Sequence, residues 1–129
     1  MEEGRLILCD TNILIEIYRN NASIISEVGK IGELNVALSV ISAGELLYGA
    51  MNRKELASIR KDLAKVSLLK IDSQVCEIFL QLMADYSLSH HLDVPDGLIA
   101  ATAIRNDVEL FTLNKKHFQF IQGLRLYSL

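Results

Sequence analysis

LILCDTNILIEI, residues 6–17, is an apolar run interrupted once, by Asp10, Thr11 and Asn12. Three adjacent polar side chains in such a run are costly if buried without partners, so their presence needs a reason. Residues 5–9 (RLILC) are continuously apolar after Arg5, as in a strand buried on both faces, and 13–18 read as a short helix. The triplet therefore stands at the exit of a strand, where the loops of α/β sheets carry their binding sites.

The rest of the chain repeats this alternation. Ser23–Leu34 carries Ile24, Ile25, Val28 and Ile31 at helical spacing and ends at Gly32 and Asn35, before a second strand at Val36–Ile41. Helices are predicted from Ser42 to about Met51 and over Lys54–Lys65, the latter with Leu56, Ile59 and Leu63 on one face. A third strand follows at Ser67–Ile71. Asp72 or Ser73 caps a long helix through about Ser87, and Asp93 caps another over Val94–Asn106. Glu109–Thr112 and Leu124–Tyr127 supply a fourth and a fifth strand. The pattern predicts an α/β fold with a central, mainly parallel, five-stranded sheet flanked by helices, the end of strand four lying beside strand one. With 129 residues, half of them hydrophobic, one proline and no linker-like stretch, residues 1–129 are expected to form a single domain.

Composition removes several functional classes. No apolar run is long enough to span a membrane. The leading MEEGR is acidic and lacks the basic start and apolar core of a signal peptide, so a cytoplasmic protein is expected. Cys9 and Cys76 belong to no metal-binding array and read as buried free thiols. A net charge of −3 argues against coating nucleic acid by bulk electrostatics, but basic residues cluster locally, at Arg53, Lys54, Arg60, Lys61 and Lys65 and again at Lys115, Lys116 and His117. Trp is absent and the four Phe and four Tyr are dispersed along the sequence, so no aromatic surface for stacking single strands is expected.

Three acids stand at corresponding places. Asp10 follows the first strand, Glu45 is expected in the first turn after the second, and Asp96 in the first turn of the helix preceding the fourth. Each has a helix-capping role open to it: Ser42 with Glu45 matches a capping box, Asp96 complements the helix dipole, and Asp10 can cap the helix that follows it. In a parallel sheet all three emerge on one edge, flanked by apolar sequence. Like charges in a sheltered cleft raise one another's pKa unless a cation compensates, and Mg²⁺ or Mn²⁺ is the natural partner of carboxylate oxygens. Thr11 and Asn12 can then hold the carboxylates or a bound water in place, and Thr112 and Asn114, after strand four, add polar groups nearby.

Four segments in order, CDTNILIE (9–16), ISAGELLYGA (41–50), DVPDGLIAATAI (93–104) and LFTLNKKHF (110–118), resemble the motifs of PIN-domain ribonucleases, and within them the VapC-type toxins of toxin–antitoxin pairs. The resemblance spans nearly the whole chain. It implies a PIN-like fold and Mg²⁺- or Mn²⁺-dependent hydrolysis of RNA phosphodiesters. It assigns Asp10, Glu45 and Asp96 as catalytic metal ligands, with Thr11, Asn12, Thr112 and Asn114 as supporting positions. Lys115, Lys116 and Arg53 are candidates for contacting RNA phosphates. The family often has a fourth acid in the last segment, where this chain offers only Asn114 and His117, which puts a full second metal site in doubt. The resemblance also implies a small antitoxin protein as partner and a homodimer, with Ser23–Leu34 and Lys54–Lys65 as possible surfaces.

Two other readings remain at this point. A phosphatase of the haloacid-dehalogenase type would use Asp10 as nucleophile, but that chemistry wants a second Asp two residues on, where Asn12 stands. A PIN-like module that binds RNA or protein without cutting is left open by the missing fourth acid.

Overall fold

The computed structural model describes residues 4–128; the acidic lead at Met1–Glu3 and the terminal Leu129 lie outside them. In chain order the elements are β1 (Ile7–Cys9), α1 (Thr11–Tyr18), α2 (Ala22–Ile31), β2 (Val36–Ser39), α3 (Val40–Tyr48), α4 (Arg53–Leu63), β3 (Ser67–Leu69), α5 (Ser73–His90), α6 (Val94–Asn106) and β4 (Glu109–Phe111). Short 3₁₀ turns precede β2, at Glu33–Asn35, and follow β4, at Lys115–His117.

The sheet is parallel throughout, in the order β3-β2-β1-β4. The alternation of side chains along each strand divides the core in two. Leu8, Ala37 and Leu110 face α5 and α6, packing with Val75, Leu82, Ile99, Ala100 and Ala103. Ile7, Cys9, Val36, Leu38 and Phe111 face the other way, onto Ile13, Ile24, Ile31, Leu46 and Ile59 from α1 to α4. Both faces of the central strands are thus covered, which is why their sequences are continuously apolar.

Local chemistry sets the helix starts. Asp10, Asn21, Ser39, Asn52, Asp72 and Asp93 each accept a backbone N–H at the N-terminus of their helix. At α3 this corrects the sequence reading. The cap is Ser39, whose Oγ accepts the Ser42 N–H at 3.0 Å, so the helix begins at Val40, and Ser42 with Glu45 is not a capping box. α5 runs on to His90, past the expected end near Ser87, and stops where His91 takes the left-handed conformation, φ 55°. No Gly or Pro lies between 87 and 91 to end it sooner.

The expected fifth strand is reduced to a single parallel bridge between Leu110 and Leu126. Leu110 donates its N–H to Arg125 O and Tyr127 donates to Leu110 O, at 2.9 and 2.8 Å. β4 is only three residues long and offers one register position; beyond it the Tyr127 side chain turns to the Glu27 carboxylate, 2.6 Å away, and to the ring of Phe111. Cys9 is buried as expected, with burial pushing its thiol pKa up to about 12, whereas Cys76 is exposed on α5 because the buried positions of that helix are Val75 and Leu82.

Strand order decides where a site can form. The chain builds outward from β1 to β2 and β3, then crosses to place β4 on the other side of β1. The crevice at such a reversal opens at the carboxyl ends of β1 and β4. Asp10 is the first residue after β1 and Thr112 the first after β4.

Candidate active site

Asp10 is fixed by both strands that flank the crevice. Its N–H continues the ladder, donating to Phe111 O at 2.9 Å. One carboxylate oxygen accepts from the Thr11 N–H and the other from the Thr112 hydroxyl, both at 2.8 Å. Thr112 Oγ in turn accepts the Asn114 N–H at 3.0 Å. Asp10 is only 6 % exposed, and burial raises its pKa above the ordinary value. The hydrogen bonds from Thr112 and Thr11 oppose that rise, the Glu45 charge adds to it, and His117 lowers it. Asn12 does not touch the acids. Its Oδ1 accepts the Leu113 N–H at 3.3 Å, pinning the loop after β4, while its Nδ2 is buried without a partner among the described residues.

Glu45 comes from the second turn of α3 and is exposed rather than sheltered. The Thr11 hydroxyl lies 2.7 Å from Glu45 Oε1 and 2.9 Å from Ser42 Oγ. A carboxylate only accepts, so Thr11 donates to Glu45 and accepts from Ser42; Ser42 in turn lies 3.3 Å from the Ser39 hydroxyl. This chain of hydroxyls from β2 to Glu45 was missed in the sequence, although Ser39, Ser42 and Glu45 stand at the i, i+3 spacing that puts them on one side of a helix.

Asp96 sits in the first turn of α6, whose start lies on the same sheet edge because α6 runs antiparallel to the strand it precedes. Asp93 caps that turn, accepting the Asp96 N–H at 2.9 Å. The Asp96 carboxyl is pushed up to about 6, first by burial and then by the charges of Asp93 and Asp10. His117 Nδ1, 3.3 Å from Asp96 Oδ2, pulls it down. Folding therefore makes Asp96 hold its proton more tightly than the unfolded chain does. Its contribution to stability improves as pH falls from 7 through 6 toward the ordinary carboxyl range. In chelator at pH 7, Asp96→Asn is expected to raise stability by about 1 kcal/mol, because solvent screens part of the cost of the half-buried charge that the substitution removes, with the gain vanishing near pH 4. Asp93→Ala, which removes a cap, is expected to cost about 1 kcal/mol. Thermal melts of the two variants across pH check both signs; an Asp96→Asn variant that melts below the parent at pH 7 would show that its carboxylate is structural.

The three acids thus stand at one edge, where Asp10 feels the charge of Glu45 and Asp96 feels the charge of Asp10. They form two linked groups, Asp10 with Thr11, Thr112 and Glu45, and Asp96 with His117. Among the described residues, no three His, Cys, Asp or Glu side chains are gathered closely enough to cage an ion. In kind, the donors suit a hard divalent cation: they are carboxylate and hydroxyl oxygens, and two of the carboxyls hold their protons more tightly than usual, chiefly through burial and further through neighbouring carboxylates. Lys115 and Lys116 are exposed on the 3₁₀ turn beside His117. Asn114 meets Thr112 through its backbone N–H, not its side chain. Arg53 opens α4 and, among the described residues, makes no hydrogen bond or ion pair with the acids. The dispersed aromatics are partly gathered by the fold: Tyr86, His90 and Phe120 form one cluster.

The PIN domain family model matches residues 7–122, which include every residue of this edge. The chain belongs to the PIN domain family. Within it the chain resembles VapC-type ribonucleases. It is 33% identical to ribonuclease VapC1 of Methanocaldococcus jannaschii, over 98% of this chain and 90% of that protein. It is 33% identical to ribonuclease VapC19 of Mycobacterium tuberculosis, over 92% and 96%. Among solved structures, a toxin–antitoxin complex from Klebsiella pneumoniae contains a chain that superposes with a TM-score of 0.79 at 27% identity, covering 95% of this chain and 99% of that one.

Proposed function

We propose that this PIN domain is a metal-dependent endoribonuclease acting as the toxin of a VapBC-type pair. The observation that carries the reading is Asp10, a buried carboxylate with a raised pKa held at the β1/β4 crevice, with Glu45 and Asp96 on the same edge. The names of the relatives and the complex from Klebsiella pneumoniae support nuclease chemistry and an antitoxin partner.

Asp10, Glu45 and Asp96 would hold Mg²⁺ or Mn²⁺, which when bound supplies an acidified water and neutralises charge on the phosphate. The chain's own residues prepare that site. Thr112 and the Thr11 N–H orient both oxygens of Asp10. The Thr11 hydroxyl steadies Glu45 against solvent motion. His117 partners Asp96. Lys115 and Lys116 would contact phosphates flanking the cut, and Arg53 those further along the strand; such contacts fix register without reading sequence. The antitoxin is read as a small protein that covers the acids. A second copy of this chain is the expected oligomeric partner. Of the two segments suggested as surfaces, Ile24, Ile31 and Ile59 are spent in the core, leaving Ile25, Leu34 and Leu56 exposed. No helix among the described residues is long and apolar enough to cross a membrane; as an enzyme acting on cellular RNA, the chain is read as a cytoplasmic protein. We read residues 1–129 as one domain.

The test is cleavage of a structured RNA mixture by the purified chain, free of antitoxin, in Mg²⁺, in Mn²⁺ and in chelator. Cutting that needs the metal supports the reading. A folded chain that binds RNA but cuts in no condition would favour the non-catalytic module.

A further inference from the structure

The cluster of Tyr86, His90 and Phe120 lies outside the acids and the function above does not use it. His90 is stacked on Phe120 with ring centroids 4.2 Å apart and planes within 10°. Tyr86 supports both edge-on, at 5.2 Å from Phe120 and 5.7 Å from His90. The Tyr86 hydroxyl accepts the Gln122 N–H at 3.2 Å, tying α5 to the segment after β4. Tyr86 and Phe120 are half-buried against the core on the α5–α6 side, whereas His90 is exposed. An exposed imidazole with one face on Phe120 offers its other face to solvent. Its orientation is set by the Phe120 and Tyr86 rings and by a 2.7 Å hydrogen bond between its Nδ1 and the hydroxyl of Ser89 on the same helix.

The position of this ring is specific. His90 ends α5 and stands three residues before Asp93, the cap of the turn that carries Asp96. Phe120 stands three residues after His117, the partner of Asp96. The stack is thus built from the two chain segments that carry the Asp96–His117 pair, α5 leading into the turn of Asp96 and the segment after β4 that bears Lys115, Lys116 and His117, and the Tyr86–Gln122 hydrogen bond ties those segments together. A strand whose phosphate lies at the acids and whose neighbouring phosphates meet those lysines would run along the segment that leads to Phe120 and the ring stacked on it. Aromatic faces stack on any base, so such a contact adds affinity without demanding a sequence.

We infer that the outward face of the His90 ring, backed by Phe120 and Tyr86, is a platform on which one unpaired base of the RNA stacks on the α6 side of the acids. This rests on the nuclease reading above, because it takes RNA to be the strand that crosses this edge.

The test uses the full chain made silent by Asp10→Asn, titrated by fluorescence anisotropy with a labelled oligoadenylate of about ten nucleotides and with an abasic ribose-phosphate strand of the same length. His90→Ala is expected to weaken oligoadenylate binding about tenfold, within the range for losing one base–aromatic stack, and to leave the abasic strand unchanged. His90→Phe should restore the lost affinity, which a purely structural histidine would not predict. A Lys115→Ala/Lys116→Ala variant should weaken both strands alike. His90→Ala binding as tightly as the parent, or losing both strands equally, would overturn the platform while the lysine effect keeps the RNA reading alive. If the parent binds neither strand and the unmutated chain cuts no RNA, the nuclease reading falls and the platform with it.

Discussion

Asp10→Asn is expected to lower metal-dependent RNA cleavage by about a thousandfold, on the order of 4 kcal/mol of transition-state stabilisation. The substitution keeps the shape of the side chain and removes its charge. The amide oxygen of the variant can still accept the Thr11 N–H that opens α1. The Thr112 hydroxyl, which in the parent donates to the second carboxylate oxygen at 2.8 Å, would meet an amide N–H₂ and have to accept instead. The lost hydrogen bond and the relieved burial of a charge oppose each other, so the melting temperature in chelator should move little. Added Mg²⁺ or Mn²⁺ should raise the melting temperature of the unmutated chain and not that of the variant, because an ion that binds only the folded state stabilises it by mass action. Initial cleavage rates and melts, each with and without metal, measure both effects. Activity within tenfold of the parent would remove Asp10 from the chemistry; a large loss of stability in chelator would make it a structural cap.

The same residue shows why much of this protein could be read from its sequence. Asp10 ends an apolar run too short to be anything but a buried strand, and Thr11 and Asn12 cannot be buried cheaply there. Asp72 and Asp93 are caps that can be read from the sequence, and α6 is found to the residue, whereas α2 and α4, capped by Asn21 and Asn52, begin one residue before the expected Ser23 and Lys54. The neighbour relation of β1 and β4 followed from the α/β alternation, and it brings Thr112 to Asp10 across the whole length of the chain.

What did not follow depends on a residue or two of register or on tertiary contact. Ser39 and Ser42 are both good caps, and choosing the wrong one moved the start of α3 and put Glu45 a turn too early and too sheltered. Leu124–Tyr127 has the composition of a strand, but three residues of β4 leave it one pairing position. Asn12 accepts a hydrogen bond from Leu113 rather than meeting an acid, a contact that exists only once the loop after β4 is docked. Tyr86 and His90 stand four apart on α5, but Phe120 is distant in sequence, and only the docking of the segment after β4 onto α5 brings it to them. Linear spacing carries no signal for such a cluster.

Gly97→Val is expected to be the most damaging single change beside the acids, costing about 3 kcal/mol of stability and much of the activity. Gly97 is buried on α6, one residue from Asp96, where α6 packs against α5. A Cβ there would lie 2.9 Å from Met83 Sδ and 3.2 Å from two carbons of the Phe79 ring. The Met83 side chain is flexible and can yield to a single methyl group. Gly97→Ala therefore balances a contact penalty against the roughly 1 kcal/mol that Ala gains over Gly in a helix, and should melt within about 1 kcal/mol of the parent. Valine adds two further methyl groups with one strongly preferred rotamer, and the Phe79 ring cannot also move aside within a packed core. The remaining response is for α6 to shift away from α5, and Asp96 shifts with it. A displacement of about 1 Å at a group that must meet a reacting phosphate costs on the order of a hundredfold in rate. Denaturant melts of both variants, with cleavage rates under conditions where each is folded, separate the two effects. Met83→Ala combined with Gly97→Val should recover part of the stability lost by Gly97→Val alone, because it removes the nearer of the two obstacles. A Gly97→Val chain that melts and cuts like the parent would mean that α5 and α6 pack with more room than these distances allow, and that the position of Asp96 is not set by this contact.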